Sequence, residues 1–500
     1  MDNFVAFVTG INGALNGWVW GPPMLALIIC TGIYMTVRTR FFQITQSKDV
    51  SDKTWLAIFT KKSVTSTKEK KAISQFQALS TALAATIGTG NIAGVATAIS
   101  VGGPGAVFWM WVSAFFGMMT NYSENVLGIF YRKKNVKDEW TGGAMYYIAN
   151  GFKDMEHQVN GFETRPFLAS LAKPLAVLFA LFCMLASFGI GNMTQINSIA
   201  SAMEDAFKIP PLASGIVLAL LAGLVIIGGI KRIARVTERI VPFMAVFYVI
   251  GALYILFTNV VQIPAVFGSI FQGAFGFRAA AGGFAGAAMK QAITMGFKRG
   301  VFSNEAGLGS SVMVHSASDV KEPVVQGMWG IFEVFFDTII VCTLTAFAIL
   351  CSGSTGSGLT GVPLVNEAFS VGFHSFARYF VSLAVLLFAF STVLGWSFYG
   401  EKATEYLFGA NAVIVYKVIF VTFIIIGATM NLTLAWDISD TLNGLMALPN
   451  LIGVIFLSGT VFAITKNYLA RRSGDKALKP MISAYPEIQA EQEAKIMAEG

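Results

Sequence analysis

The segment from Ala84 to Gly94, with the sequence AATIGTGNIAG, interrupts an apolar stretch that is long enough to cross a lipid bilayer. Each glycine in a helix interior costs about 1 kcal/mol relative to alanine, so a continuous helix gains nothing from this composition. Unpaired backbone groups at membrane depth are tolerated only where protein surrounds them or where they line a water-filled cavity. The sequence therefore predicts a membrane helix that unwinds near Gly88 and Gly90 to bind a ligand.

A second apolar stretch carries a similar interruption, FSNEAGLG, from Phe302 to Gly309. Its NEAG, which begins at Asn304, corresponds to the NIAG that begins at Asn91. Two interrupted spans in corresponding halves of a membrane protein indicate the central binding site of a secondary transporter.

The composition supports a membrane protein, because 55% of the 500 residues are hydrophobic, 13% are charged and the mean hydropathy is +0.65. Soluble globular proteins carry about 25% charged residues. We therefore expect an all-α integral membrane protein, and mostly apolar stretches of about 20 residues mark its spans. Eleven spans are predicted, near residues 19–37, 74–100, 105–130, 174–203, 211–230, 240–257, 284–315, 325–351, 376–400, 412–430 and 442–465. The four cysteines lie in or beside these spans, so we expect neither a disulfide framework nor a thiolate metal site.

Basic residues accumulate in alternate connections, with nine in residues 38–71, seven in 132–173 and four in 231–239. The intervening connections contain only three: Lys208, Arg278 and Arg378. Because lysine and arginine favour the cytoplasmic side, we expect a multi-pass protein of the cell membrane with its N-terminus outside and its C-terminus in the cytoplasm. This topology in a lipid bilayer also accounts for the net charge of +7, so no nucleic-acid partner is expected.

The first span stands apart, and the other ten divide into two groups of five, each led by an interrupted helix. The two leading helices enter the membrane from opposite sides, which predicts an inverted repeat. We expect an extra N-terminal transmembrane helix at 1–37, a basic cytoplasmic loop at 38–73 and a first five-helix repeat at 74–257. A second five-helix repeat follows at 258–466. The polar residues 467–500 predict a cytoplasmic tail, solvated or marginally helical, without transport chemistry.

Four motifs resemble the alanine/glycine:cation symporter family: GTGNIAGV from Gly88, GGPGAVFWMW from Gly102, GGAMYY from Gly142, and FSNEAGLG. The run that ends in the two tryptophans is the most specific, and the resemblance extends from about Trp18 to Lys466. It implies a LeuT-type fold, in which two inverted five-helix repeats follow one extra N-terminal helix. It also implies sodium-coupled uptake of small neutral amino acids, alanine or glycine, by alternating access.

An amino-acid zwitterion in a dry site needs hydrogen-bond donors for its carboxylate and acceptors for its ammonium group. The N-terminal N–H groups of a broken helix favour an anion, and the exposed C-terminal carbonyls favour a cation. Small residues at a break also permit close helix–helix packing, and Gly90 and Gly94 fit that alternative. The substrate-binding residues predicted at the two breaks are Thr86, Gly88, Thr89, Gly90, Asn91, Ser303 and Asn304.

Gln195 lies in the fourth span, where a buried amide is costly unless it has a partner. In the LeuT-type plan this span lines the substrate cavity, and the resemblance likewise implies a glutamine against the substrate. An interhelical hydrogen bond is the alternative. Ile199, one turn further on, would present an apolar surface on the same helix face.

Thr392 and Trp396 lie four residues apart in the ninth span, so a hydroxyl and a large aromatic wall share one helix face. They complete the predicted substrate site. Ser391 and Thr392 could also form a sodium site with backbone carbonyls around Ala85 and Gly88, because oxygen ligands suit a hard cation. A hydroxyl that bonds a carbonyl of its own helix is the alternative. Sodium enters as the coupling ion, and no other cofactor is expected.

Ionisable residues at membrane depth are functional candidates by default, and here they are Glu124, Lys290, Glu305, Glu333 and Asp337. Glu333 and Asp337 lie four apart and would repel unless a base such as Lys290 or Arg299 compensates them. We interpret them as a structural or gating ion pair, with a proton relay as the alternative. Glu305 could gate the site or bind an ion.

His157, His315 and His374 show no metal-ligand spacing, and the chain contains neither a HExxH motif nor a Walker loop. The chain therefore lacks the motifs of a membrane-embedded metalloprotease and of an ATP-driven pump, and no enzyme activity is expected. A passive channel would need a selectivity filter or a charged pore, and neither is evident. A proton-coupled or glutamine-preferring symporter of the same family stays open as the alternative, as do stoichiometry, stereoselectivity and oligomeric state.

Overall fold

The computed structural model describes residues 2–154, 166–275, 284–430, 433–475 and 477–499. His157 and Arg278, which entered the sequence predictions, lie outside these residues. The described part is helical, as expected, apart from a short antiparallel pair formed by β1 (Lys133–Lys134) and β2 (Trp140–Thr141).

The helices before the middle of the chain are α1 (Asp2–Val19), α2 (Pro22–Arg38), α3 (Phe42–Thr45), α4 (Ser47–Lys53), α5 (Trp55–Thr60), α6 (Lys62–Thr65), α7 (Gln75–Thr86), α8 (Val95–Gly102), α9 (Gly105–Phe130), α10 (Ala144–Asp154), α11 (Pro166–Phe188), α12 (Thr194–Phe207), α13 (Pro211–Ile226) and α14 (Gly229–Thr258). Those after it are α15 (Ile263–Phe275), α16 (Phe284–Asn304), α17 (Val312–His315), α18 (Pro323–Val334), α19 (Thr343–Cys351), α20 (Gly361–Phe373), α21 (Ala377–Phe408), α22 (Ala412–Thr429), α23 (Thr433–Phe456), α24 (Ser458–Arg472) and α25 (Pro486–Glu499). Short π-helical turns occupy Gly90–Gly94, Gly189–Met193 and Phe335–Cys342, and short 3-10 turns occupy Val260–Gln262, Ser354–Ser357 and His374–Phe376.

Seven helical stretches of the described chain are long and apolar enough to cross a membrane. They match the spans predicted near 19–37, 174–203, 240–257, 325–351, 376–400, 412–430 and 442–465, and a bent helix pair at 75–102 makes an eighth. The other predicted spans correspond to α9, α13 and α16. None of these three passes the same test of length and apolarity, so the count of eleven stays a prediction.

The first interrupted helix breaks where the glycines predict. Helix α7 begins at a reciprocal cap, in which the Ser74 hydroxyl accepts the N–H of Gln77 and the Gln77 side chain accepts the N–H of Ser74. It ends at Thr86, and the chain resumes as the π-helical turn Gly90–Gly94 and α8, bent by 51° relative to α7. A gap in an otherwise apolar helix thus exposes backbone groups in the protein interior.

The second interrupted helix also breaks as predicted, immediately after Asn304. Glu305, Gly307 and Gly309 all have positive φ, at 56°, 91° and 74°. Glycine adopts this conformation without strain, whereas a glutamate there is uncommon. The chain continues through a non-helical stretch into the four-residue helix α17. The core forms where α21 packs against α7, α11, α12 and α14.

The chain is helical on both sides of the first predicted span, because α1 precedes α2 across a turn at Trp20 and Gly21. The connection at 38–73 contains the short helices α3 to α6. At the other end, the polar residues after 473 form α25 and pack on the protein, with Ile482 only 2% exposed. Of the two alternatives predicted for this tail, the structure has the helix, and the tail also packs on the protein instead of remaining solvated throughout.

Candidate functional site

The two breaks lie at one small cavity of about 10 Å³. This is roughly the space that a single water molecule needs, so the walls almost meet between the breaks. The lining residues come from both broken helices, α12, α21, α23 and the π-helical turn at 189–193: Ala85, Thr86, Gly88, Gly90, Ile190, Gln195, Phe302, Glu305, Thr392, Trp396 and Asn443.

The backbone of the first break is held open by side-chain hydrogen bonds. The side-chain oxygen Oδ1 of Asn91 accepts the N–H of Gly88 at 2.9 Å, so the asparagine side chain takes the place of a helical backbone carbonyl. Gly88 has no room for a side chain, because a Cβ there would lie 2.5 Å from the Thr392 hydroxyl. The glycine therefore allows the unwound backbone to approach α21 directly.

Gln195 joins α12 to the first break. Its Oε1 accepts the N–H of Thr89 at 3.3 Å, and its Nε2 donates to the carbonyl of Ile190 at 3.0 Å. The side chain lines the cavity while it makes the interhelical bond. The structure therefore brings Gln195 to the predicted place, and both the binding and the bridging interpretation fit its position.

The hydroxyls of Ser391 and Thr392 lie against the C-terminal end of α7. Ser391 donates to Phe388 at 2.8 Å and reaches the Ala84 carbonyl at 3.3 Å. Thr392 donates to Phe388 at 3.0 Å and lies 3.5 Å from the Ile87 carbonyl. The carbonyls that meet the hydroxyls thus belong to Ala84 and Ile87, one residue before the predicted Ala85 and Gly88.

Trp396 forms one wall of the cavity and is anchored by Glu305. Its indole N–H donates to Glu305 Oε1 at 2.8 Å, and the Ser310 hydroxyl donates to Glu305 Oε2 at 2.5 Å. Behind the indole lies Gly191, whose missing side chain leaves the space that Trp396 fills. Glu305 therefore links the second break to the aromatic wall, and its positive φ aims its carboxylate at α21.

Asp337 lies beside the cavity and is hydrogen-bonded by both broken helices. Asn91 Nδ2 donates to Asp337 Oδ1 at 2.6 Å, and the Ser303 hydroxyl lies 2.9 Å from Oδ2. The neighbouring Asn304 donates to the Thr338 hydroxyl at 3.0 Å. Asn91, Ser303 and Asn304 thus tie the two breaks to the π-helical turn at 335–342, rather than line the cavity.

Glu333 is hydrogen-bonded to a histidine that the sequence predictions did not connect with it. His315 Nε2 lies 2.9 Å from Glu333 Oε2, and both side chains are fully buried. Lys290 and Arg299, the bases considered from the sequence, form no ion pair with Glu333 or Asp337 in the described structure. The sequence does not reveal that His315 contacts Glu333, because the two residues meet only where α17 turns back towards α18. Glu124 accepts a hydrogen bond from Asn450 at 2.5 Å.

Seven predicted residues line the cavity: Ala85, Thr86, Gly88, Gly90, Gln195, Thr392 and Trp396. Six others lie outside its lining: Thr89, Asn91, Ile199, Ser303, Asn304 and Ser391. Ile199 is fully buried one turn beyond Gln195, where it packs in the core.

Asn443 is a polar lining residue that the sequence predictions missed. It is 1% exposed, and neither its amide nitrogen nor its oxygen has a hydrogen-bond partner within the described residues. A buried amide in an apolar span was the same signal that singled out Gln195. Phe302 and Ile190 were also missed, because aromatic and aliphatic residues abound in such a chain.

A second cavity of about 100 Å³ lies next to the first, and Ile190 and Phe302 line both. Its wall contains an ion pair between Lys298 and Asp440 with an N–O distance of 2.6 Å. Asn16 of α1 donates to Asp440 at 3.1 Å. Helices α1, α16 and α23 therefore meet at this second cavity, which we call the vestibule.

Comparisons with known proteins fit this arrangement of broken helices. The family model described as the sodium:alanine symporter family matches residues 5–482. A protein named sodium/alanine symporter AgcS from Methanococcus maripaludis is 46% identical over 466 residues, which cover 92% of this chain and 97% of that protein. A protein named probable sodium/glutamine symporter GlnT from Bacillus subtilis is 36% identical, with coverage of 93% and 92%.

A solved manganese transporter from Eremococcus coleocola matches with a TM-score of 0.47 and 13% identity, over 87% of this chain and 88% of that one. Because the family model covers nearly the whole chain and the archaeal relative is 46% identical, the function belongs to the transporters and not to the enzymes. The chain belongs to the sodium:alanine symporter family.

Proposed function

We propose that the protein couples the inward movement of sodium to the uptake of a small neutral amino acid, alanine or glycine, by alternating access. The observation that carries this proposal is the cavity of about 10 Å³ between the two breaks. Its lining combines backbone of a broken helix with neutral amides, a hydroxyl, an indole and the carboxyl group of Glu305. Such a set offers hydrogen-bond donors for the carboxylate of a zwitterion and acceptors for its ammonium group.

The size of the substrate follows from the walls. Trp396, Phe302 and Ile190 converge on the cavity and leave almost no free volume. Because the cavity is about the size of one water molecule, its walls must move apart to admit any amino acid, and glycine and alanine require the least expansion. This argument favours alanine and glycine, although a relative is named for glutamine.

The sodium ion is assigned to the end of α7. The last carbonyls of a helix lack intrahelical partners and carry the negative end of the helix dipole. Those of Ala84 and Ile87 face the Ser391 and Thr392 hydroxyls at 3.3 and 3.5 Å. Four neutral oxygens suit a hard monovalent cation and leave a transition metal without soft ligands.

We further propose a LeuT-type arrangement of eleven spans, with the N-terminus outside and the C-terminus in the cytoplasm. Two features support it: the breaks lie at the heads of two runs of five predicted spans, and the basic connections alternate. The proposed divisions are an extra helix at 1–37, a basic loop at 38–73, repeats at 74–257 and 258–466, and a cytoplasmic segment at 467–500.

The test is uptake of radiolabelled alanine into proteoliposomes with and without an inward sodium gradient. Accumulation above equilibrium only with the sodium gradient supports the proposal. Accumulation driven by a proton gradient would favour the proton-coupled alternative, and flux that never exceeds equilibrium would favour a passive channel. Competition by unlabelled glycine and glutamine then ranks the substrates.

A further inference from the structure

A pocket unrelated to the central cavity lies between the ends of α2 and α24. It encloses about 770 Å³, which is within the range of about 300–1,000 Å³ that is usual for small-molecule sites. Four basic side chains line it, and no acidic side chain does: Arg38, Arg40, Lys466 and Arg472. The remaining lining is mixed, with Phe462 and Leu469 among its apolar members.

The charges of this pocket are only partly balanced by protein groups. Arg472 forms an ion pair with the buried Asp49 of α4. Arg38 lies over the Phe462 ring at 4.5 Å and donates to the Tyr34 hydroxyl at 3.1 Å. Arg40 and Lys466 are exposed and form no ion pair within the described residues. The pocket therefore attracts an anion.

The backbone at the pocket is strained. Arg40 and Phe41 are consecutive non-glycine residues with φ of 57° and 55°. This conformation is unfavourable for a non-glycine residue and persists only where surrounding structure imposes it. The tight turn brings Arg40 back beside the end of α2, where Arg38 already lies.

The pocket opens beside an apolar helix surface. Ile33, Tyr34 and Val37 of α2 are 38%, 38% and 54% exposed, and they lie at the end of the helix, just before Arg38. In a bilayer this face meets acyl chains, while arginine and lysine at a helix end meet the headgroups. Basic pockets between membrane helices are suited to anionic lipid headgroups.

We propose that this pocket binds the phosphate of an anionic phospholipid whose acyl chains lie along the exposed face of α2. The lipid would join α2 to α24, and through the Arg472–Asp49 pair to α4. The apolar face next to the four cations distinguishes a lipid from free phosphate, which would gain nothing from Ile33 and Val37.

The experiment measures phospholipid retained by the purified full-length protein, using native mass spectrometry after incubation with equimolar phosphatidylglycerol and phosphatidylcholine. Wild type should retain phosphatidylglycerol selectively. Each basic residue near a lipid surface contributes about 1 kcal/mol, or roughly five-fold. Arg40→Gln/Lys466→Gln should therefore reduce the retention of phosphatidylglycerol roughly 25-fold.

Lys61→Gln/Lys62→Gln is the matched control, because both lysines are exposed, lie in the same loop as Arg40 and do not line the pocket. It should leave retention unchanged. An equal loss in both double variants would overturn the proposal in favour of diffuse charge attraction. Equal retention of phosphatidylcholine, or displacement of the lipid by glycerol phosphate alone, would also overturn it.

Discussion

A substitution of Asn443 can test substrate binding separately from the stability of the fold. Its amide nitrogen and oxygen are buried at the cavity without partners among the described residues. Each buried unsatisfied polar group costs about 1–3 kcal/mol. A ligand that supplies the missing hydrogen bonds removes this cost.

We expect Asn443→Leu to maintain or raise the melting temperature without substrate, and to weaken alanine binding at least about ten-fold, the equivalent of one hydrogen bond. Equilibrium binding of radiolabelled alanine and thermal unfolding measure the two effects. Asn192→Leu is the control, since the Asn192 amide donates to the Phe420 carbonyl at 2.7 Å away from the cavity. It should lower the melting temperature and leave the binding constant unchanged. The reverse pattern for Asn443→Leu would make it a structural residue.

Thr392 carries the prediction for the coupling ion. Thr392→Val retains the shape of the side chain and removes the oxygen that lies 3.5 Å from the Ile87 carbonyl. Loss of a charge-assisted contact costs about 1.5–3 kcal/mol, so sodium affinity should fall roughly ten-fold or more. Because binding couplings are reciprocal, high sodium should restore part of the alanine affinity.

Titrations of alanine binding at several sodium concentrations measure this effect. Thr81→Val is the matched control, because Thr81 is a buried threonine of α7 whose hydroxyl lies 2.8 Å from the Thr237 hydroxyl, outside the cavity. A sodium dependence of Thr392→Val that superimposes on wild type would exclude the threonine as an ion ligand.

At the scale of elements, α1, α16 and α23 meet at the vestibule, next to one side of the central cavity. The Lys298–Asp440 pair is 2.6 Å long, and the two side chains are 16% and 14% exposed. Removal of one partner of a partly desolvated pair leaves the other charge without compensation. Asp440→Asn should therefore shift the population towards a state in which this side is open.

The measurement is the labelling rate of Trp436→Cys, a vestibule residue, by a membrane-impermeant maleimide in a background without the native cysteines. Asp440→Asn should increase the rate several-fold. Glu401→Gln is the control, because the Lys417–Glu401 pair has a similar length of 2.9 Å and similar exposures of 11% and 13%. An equal increase in the control would mean general loosening rather than a gate.

The elements differ in how far the sequence could predict them. Both breaks were predictable, because glycines destabilise a continuous apolar helix. The Lys298–Asp440 and His315–Glu333 contacts were not predictable, since packing alone decides which distant side chains meet. The carbonyls that face the Ser391 and Thr392 hydroxyls lie one residue before Ala85 and Gly88, because the exact end of α7 depends on the cap at Ile87 and not on composition.

At the scale of the whole molecule, the C-terminal segment packs across the loops near the ends of α9 and α7. The N–H of Ala484 donates to the Phe130 carbonyl at 2.9 Å. Lys495 of α25 forms an ion pair with Glu69 at 2.6 Å, and the Trp140 indole donates to the same carboxylate at 3.1 Å. Residues from three distant parts of the chain thus meet at Glu69.

Glu69 makes this docking sensitive to pH. Burial alone would raise the pKa of Glu69, but the hydrogen bonds from Lys495 and Trp140 outweigh burial, and the pKa lies below its usual value. Burial likewise opposes the charge of Lys495, whose pKa is nevertheless raised by its bonds to Glu69 and Glu491. The carboxylate contribution is present above the unfolded pKa of Glu69 and is lost as pH falls through the lowered folded value. The lysine contribution is lost only as pH rises through the raised pKa of Lys495.

Docking of α25 should therefore be complete at neutral pH and weaken in acid, below about pH 4, the usual range of glutamate. Energy transfer between dyes at Glu487→Cys and Lys68→Cys, in a background without native cysteines, follows the separation of α25 from the loop. Glu69→Gln should lower the transfer at neutral pH and remove most of its acid dependence, because the titrating partner is gone. Asp138→Asn is the control, since Asp138 belongs to an exposed ion pair with Lys134 at 3.5 Å, and exposed pairs contribute little. If Glu69→Gln retains the acid transition of wild type, another carboxylate controls the docking, and the buried cluster around Trp140 serves only to hold the loop.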